Sequence, residues 1–184
     1  MGRFAVIDTE TNWADQVMSI GTVIADAETF QKLDARYHIL PTECEIGGMY
    51  ESTLYIQTPV APILCARKEA IADLKVWFQQ YGVEKIFAYN ANFDRNHLPE
   101  LRGFAWYDIM ALAAYRQTNP RIPPYAECCS TGRLKRGYGV EPMLRLLSGN
   151  TCYQESHNAF FDAAEELEII KLLGHPLESY KPLK

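Results

Sequence analysis

"FAVIDTET", residues 4–11, is the stretch on which the reading of the fold turns. The unbroken apolar run from Phe4 to Ile7 suits a central strand covered on both faces. It ends in two acids, Asp8 and Glu10, spaced two residues apart. Strand side chains alternate, so both carboxylates leave from the same face. The end of a buried strand is where α/β sheets generally hold ligands. Acids paired there repel each other and resist desolvation unless a cation lies between them. A surface or purely structural Asp-x-Glu is the alternative, and the remaining segments have to separate the two.

Working outward, "QVMSIGTVIAD" (16–26) and "ARYHILP" (35–41) read as the next two strands, joined by a polar connection. Residues 42–64 give no element. "RKEAIADLKVWFQQYG" (67–82) is a helix with Ile71, Leu74 and Phe78 on one face and Gly82 as its C-terminal cap. "EKIFAY" (84–89) is a strand, followed by a short helix near 94–101 and a further strand, "GFAWY" (103–107). Asp108 then caps the helix "IMALAAYRQ", and residues 118–140, rich in Pro and Gly, form a long loop. Helices near 141–148 and 159–173 close the chain. The expectation is a single α/β domain over residues 1–184. Its mixed sheet has the first three strands antiparallel and the later ones parallel through helical crossovers, with helices flanking it. No phosphate-cradling glycine loop and no nucleophile elbow is present, which removes support for nucleotide-dependent transfer and serine hydrolysis.

Asp94 ends "AYNANFD", at a second strand-to-helix turn that Asn90 is expected to fix through its side chain. The last acid lies in "HNAFFDAAEELEII" (157–170), where His157 and Asp162 are five residues apart. On a continuous helix that spacing is about 140° around the axis, so the two would diverge. They converge if His157 sits in the turn, Asn158 is the N-cap and Asp162 lies in the first turn, near the positive end of the helix dipole with Glu165 and Glu166. The bland alternative is an acidic surface helix with a stray histidine. Asp8, Glu10, Asp94 and Asp162 could together bind two divalent cations, Mg²⁺ or Mn²⁺, about 3.5–4 Å apart, as phosphodiester hydrolysis uses them. His157 would accept the proton of the attacking water without ligating metal. His97, one turn beyond Asp94, is a rival base or a surface residue. Asp94 could instead only cap its helix, Asp108 reads as a cap rather than a fifth ligand, and His38 and His175 read as incidental.

The bulk properties agree with an ordinary globular chain: 48% hydrophobic and 22% charged residues over 184 positions. A net charge of −5 argues against a protein that coats DNA. Residues 116–145 nevertheless carry a local +4 from Arg116, Arg121, Arg133, Lys135, Arg136 and Arg145 against Glu127 and Glu141, leaving −9 elsewhere. That split suits an acidic metal site beside a basic landing surface, or simply a solvated basic loop. The five cysteines are odd in number and lack zinc-ligand spacing, which reads as free thiols. No targeting signal or membrane-length apolar stretch is seen, so a cytoplasmic protein with no membrane association is expected.

These residues resemble the motifs of the DEDD superfamily of 3′–5′ exonucleases, in its histidine-bearing DEDDh branch. "FAVIDTET" is similar to the first motif, "YNANFD" to the second and "HNAFFDA" to the third. The His-to-Asp gap of five separates this branch from the tyrosine one, which would place Tyr where Asn158 stands. The likeness spans roughly residues 4–173. It implies a ribonuclease H-like fold, Asp8, Glu10, Asp94 and Asp162 as metal ligands and His157 as general base. The branch includes proofreading subunits of bacterial replicative polymerases and several exoribonucleases. The partners implied are therefore a DNA or RNA 3′ end and a polymerase or other nucleic-acid-processing protein. The first motif departs from the family's Thr-Gly-Leu, reading Thr11, Asn12, Trp13. Trp13 is expected either to stack on the terminal base, worth about 1–3 kcal/mol, or to brace the loop from a buried position. Thr11, Trp13, Asn90, Arg133, Lys135 and Arg136 are the candidate substrate contacts. A metal phosphatase acting on small molecules would need neither basic track nor stacking residue, and a binding-only relic should have lost part of the site.

Overall fold

The structure, a computed structural model, describes residues 2–184. Its first three strands, β1 (Arg3–Thr11), β2 (Val17–Asp26) and β3 (Lys32–Ile39), form an antiparallel meander. There follow α1 (Pro41–Cys44), β4 (Ile63–Leu64), α2 (Arg67–Tyr81), β5 (Lys85–Ala88), α3 (Asn92–His97), β6 (Ala105–Asp108), α4 (Met110–Ala113), α5 (Val140–Ser148) and α6 (Ala159–Leu173). The sheet order is β4-β3-β2-β1-β5-β6. β5 lies parallel to β1, and β6 parallel to β5, so the mixed sheet expected from the sequence is present.

β1 is central, which explains its apolar run: Phe4, Ala5, Val6 and Ile7 are all fully buried. Alternation sorts them onto two layers. Phe4 and Val6 pack with α5 and α6 residues such as Met143, Leu144, Phe160 and Leu167. Ala5 and Ile7 pack on the other face with Ile71, Leu74 and Trp77 of α2. Asp8 and Glu10 continue the parity of Phe4 and Val6, so they leave the sheet on the α6 face. Helix α2 starts with the Glu69 carboxylate accepting the Ala66 N–H at 3.0 Å and stops at Gly82, left-handed at φ 66°.

Three local expectations differ from the structure. α3 begins at Asn92, so Asp94 lies inside the helix rather than at its start. The helix expected from residue 109 to 117 is only Met110–Ala113, because nearby side chains capture its last carbonyls. Thr118 Oγ1 donates to Leu112 O at 2.7 Å and Asn119 Nδ2 to Ala113 O at 2.7 Å, leaving Tyr115 free to bridge Arg133. β4, a two-residue strand parallel to β3, comes from a segment with no periodic signal. The 118–140 stretch is irregular and is anchored by buried Asn119, Ile122 and Leu134. No helix among the described residues is long and apolar enough to cross a membrane.

One glycine controls how the last helix meets the sheet. Gly21 is paired with Asp8 across β1 and β2, and a Cβ placed on it would stand 1.8 Å from Ala159 O and 2.5 Å from Phe160 N. Those are backbone atoms of the first turn of α6, so no rotamer change relieves the clash. Gly21→Ala should therefore push α6 off the sheet and cost at least the about 1–3 kcal/mol typical of overpacking, with loss of divalent-cation binding. Thermal melts with and without Mg²⁺ test this; an unchanged midpoint would show that the helix start has slack.

Candidate active site

α6 starts where the sequence places it. Asn158 is the N-cap, its side chain accepting from Phe160 N at 3.1 Å, and its Nδ2 donates to Tyr37 Oη at 3.0 Å and Thr53 O at 2.8 Å. His157 precedes it in a left-handed conformation, φ 52°, and the Thr53 hydroxyl donates to its carbonyl. Left-handed backbone is uncommon for a residue with a Cβ, so the turn is held by these partners. Asp162 lies in the first turn and is buried. The surface-helix alternative fails here, since Asp162 and Glu166 both face inward.

The carboxylates meet in one pocket of about 370 Å³, lined among others by Asp8, Glu10, Asp94, His157 and Asp162. Carboxylate oxygens of Asp8, Glu10 and Asp162 lie within 4.8 Å of one another. Asp94 is buried on the β5 side of the pocket and accepts from Thr9 Oγ1 at 2.7 Å. The turn before it is fixed by the backbone of Asn90, not by its amide as expected. Asn90, at φ 61°, donates its N–H to Asp108 Oδ1 at 3.0 Å and accepts from Phe93 N at 2.9 Å. Asp108 also accepts from Met110 N at 2.9 Å, which is the capping role expected of it.

Trp13 lines the pocket with 69% of its surface exposed, which rules out the buried bracing role. Asn12 does the bracing: its Oδ1 accepts from Ala14 N and Gln16 N, both at 2.9 Å, and its Nδ2 donates to Glu43 O at 2.9 Å. Thr11 and Asn90 also line the pocket. Arg133, Lys135 and Arg136 do not line it. Arg133 lies 4.9 Å over the ring of Tyr138, whose carbonyl accepts the hydroxyl of pocket-lining Tyr89. Lys135 is 3.9 Å from Glu127. His97 is turned away, with Nε2 3.0 Å from Asp15 Oδ1 and Nδ1 2.9 Å from Phe93 O. His38 pairs with Asp73 at 2.9 Å, and His175 Nε2 lies 2.7 Å from Thr118 O. All five cysteines are free.

Sequence reasoning missed several lining or flanking residues, among them Tyr50, Met49, Glu155 and Glu166. Tyr50 stacks on His157 at 4.2 Å and 17°, but it belongs to the 42–64 segment, which has no periodicity to read. Glu166 had a signal, because residues four apart share a helix face and Asp162 was already placed inward.

Burial raises the carboxyl pKa values throughout. Asp162 is pushed up to about 9 by desolvation and then by Glu165, Glu155 and Glu10. Glu10 rises to about 8 and Asp94 to about 7, each chiefly through desolvation. Asp8 and Glu166 are raised well above the ordinary range by burial and by neighbouring acids. Asp162 Oδ1 and Glu166 Oε2 are buried without a hydrogen-bond partner. Orphaned oxygens in an all-carboxylate donor set fit hard divalent cations such as Mg²⁺ or Mn²⁺.

No family model matches the chain, and no curated protein matches it in sequence. Among solved structures, the nuclease domain of 3′hExo, a DEDDh family member bound to rAMP, superposes with a TM-score of 0.62. The match covers 99% of this chain and 96% of that one at 14% identity. The chain has the fold of a DEDDh nuclease domain. Exonuclease I from Methylocaldum szegediense (TM-score 0.61, 14% identity, 94% of this chain) and E. coli exonuclease I with a dT13 oligonucleotide (0.59, 14%, 97%) share it. This chain spans 40% and 42% of the length of those two proteins.

The raised carboxyl values make a stability prediction. An acid held above its ordinary value keeps its proton longer folded than unfolded, so its contribution is intact below about pH 4, the unfolded range. It is lost as pH rises through about 7 for Asp94, 8 for Glu10 and 9 for Asp162. In EDTA the melting temperature should fall from pH 5 to 9, and Mg²⁺ should flatten that slope. A level profile in EDTA would show that these acids are not desolvated together.

Proposed function

We propose that this chain is a divalent-metal-dependent 3′–5′ exonuclease releasing nucleoside 5′-monophosphates from a DNA or RNA 3′ end. The observation that carries this reading is the convergence of Asp8, Glu10, Asp94, Asp162 and His157 on one pocket, within the fold of a DEDDh nuclease domain. Asp8, Glu10, Asp94 and Asp162 are the residues to hold two cations, Mg²⁺ or Mn²⁺. Cations bound there supply charge neutralisation and water activation for in-line displacement at phosphorus.

The chain's own groups do the rest. His157 accepts the proton of the attacking water, and its place in the turn lets it reach the pocket while Asp162 reaches it from the helix. Trp13, exposed at the pocket mouth with Met49, offers a flat apolar surface to the terminal base. A small-molecule phosphatase has no use for such a rim, and a binding-only protein has no use for the complete set of acids. One neighbour of this fold was solved with rAMP and another with a DNA oligonucleotide, so both sugars belong in the test.

Digestion of 5′-labelled DNA and RNA oligonucleotides, single-stranded and duplex, reads polarity, sugar and strand preference from one product ladder. Cleavage should need Mg²⁺ or Mn²⁺ and stop with Asp94→Asn. His157→Ala should lower turnover by about 10²–10⁴, the usual share of a general base. His97→Ala should change it little. Undiminished cleavage in excess EDTA would sink the reading.

The basic segment has its own test. Replacing Arg133, Lys135 and Arg136 together should raise KM on oligonucleotides and flatten its salt dependence, since each lost single-strand phosphate contact removes about 0.7 from the log–log slope. An unchanged slope would reduce these residues to solvated charge.

A further inference from the structure

We propose that Glu155 is a positioning residue that sets which edge of the His157 imidazole faces the pocket. This rests on the reading of His157 as the base. Glu155 is outside every motif that the sequence displays, yet its Oε2 lies 4.0 Å from His157 Nδ1, with only 16% of its side chain exposed.

Two restraints already act on His157. The Tyr50 ring stacks on it at 4.2 Å, and the Thr53 hydroxyl holds its carbonyl. Stacking fixes the plane of an imidazole but is indifferent to a half-turn of the ring about its Cβ–Cγ bond. A carboxylate on one edge is not indifferent. It favours the tautomer with the proton on Nδ1, which leaves Nε2 with a free lone pair for the proton of water. The 4.0 Å separation is too long for a hydrogen bond. Catalytic hydrogen bonds are often long before substrate binds and tighten in the complex.

Glu155 is itself held from behind. Its N–H donates to Glu141 Oε2 at 3.0 Å. Glu141 pairs with Arg145 at 2.8 Å, and Arg145 Nε donates to Tyr153 O at 2.7 Å. Two residues of α5 thus clamp the 153–155 backbone, giving the carboxylate a fixed origin. The competing role for Glu155 is as one more cation-holding acid, because its oxygen, a nitrogen of His157 and an oxygen of Asp162 lie within 4.8 Å of one another.

The test is a double-mutant cycle on the full chain, read as kcat and KM on a labelled oligonucleotide. Glu155→Ala should lower kcat about 10–100-fold, as loss of an orienting partner does, with KM unchanged. Glu155→Gln keeps an oxygen that can accept from Nδ1–H and should recover most of the loss. In the His157→Ala background, which retains measurable turnover, adding Glu155→Ala should change kcat no further, because residues acting as a unit are not additive. An equal loss in both backgrounds, or a weaker Mg²⁺-induced rise in melting temperature for Glu155→Ala, would overturn the proposal in favour of cation holding. Failure of Glu155→Gln to recover kcat would also overturn it. Full activity in His157→Ala alone would instead overturn the base assignment on which it rests.

Discussion

The approach of the α6 backbone to β2 at Gly21 is the contact on which the site depends. Gly21 stands opposite Asp8, and the carbonyl of Ala159 occupies the space that any side chain on Gly21 would fill. That proximity brings Asp162, in the same helical turn, within reach of Asp8 and Glu10. It also fixes where the preceding turn must run, and so the left-handed backbone of His157. The sheet supplies two acids by parity and the helix supplies the third by contact. Asp94 arrives through β5, which lies parallel to β1 on its other side.

Such a gathering is electrostatically unfavourable, and the surrounding structure shows how it is sustained. The central strand is buried on both faces, so the apolar layers above and below hold the acids in place regardless of their charge. Thr9, between the two acids of β1, donates its hydroxyl to Asp94 at 2.7 Å. Glu166, one turn deeper on α6, is buried against this group with an oxygen that has no protein partner. A core built only for stability would carry an aliphatic residue there. The pattern is that of a site in which local rules are broken for function.

Much of this was legible because two periodicities are simple. The alternation of β1 put Asp8 and Glu10 on one face, and the five-residue spacing of His157 and Asp162 demanded a helix start between them. The cap at Asn158 and the last helix, 159–173, were readable from local chemistry alone. Helix α4 was not, because Thr118 and Asn119 take its last carbonyls from beyond its end. Tyr50 and Met49 were hidden in a segment with no hydrophobic period, positioned by turns and tertiary contacts. Trp13 offered two roles that only exposure could separate. Glu155 carried no signal, since an acid outside any repeat looks like solvated surface until the fold brings a histidine beside it.

The burial of the acid cluster has a consequence for how a divalent ion would be captured. Carboxyls that hold their protons at neutral pH must give them up before their oxygens can coordinate, so ion uptake is also acid release. The apparent affinity then climbs with pH even though no ligand changes identity. Calorimetric heats of binding would vary with the ionisation enthalpy of the buffer that receives those protons.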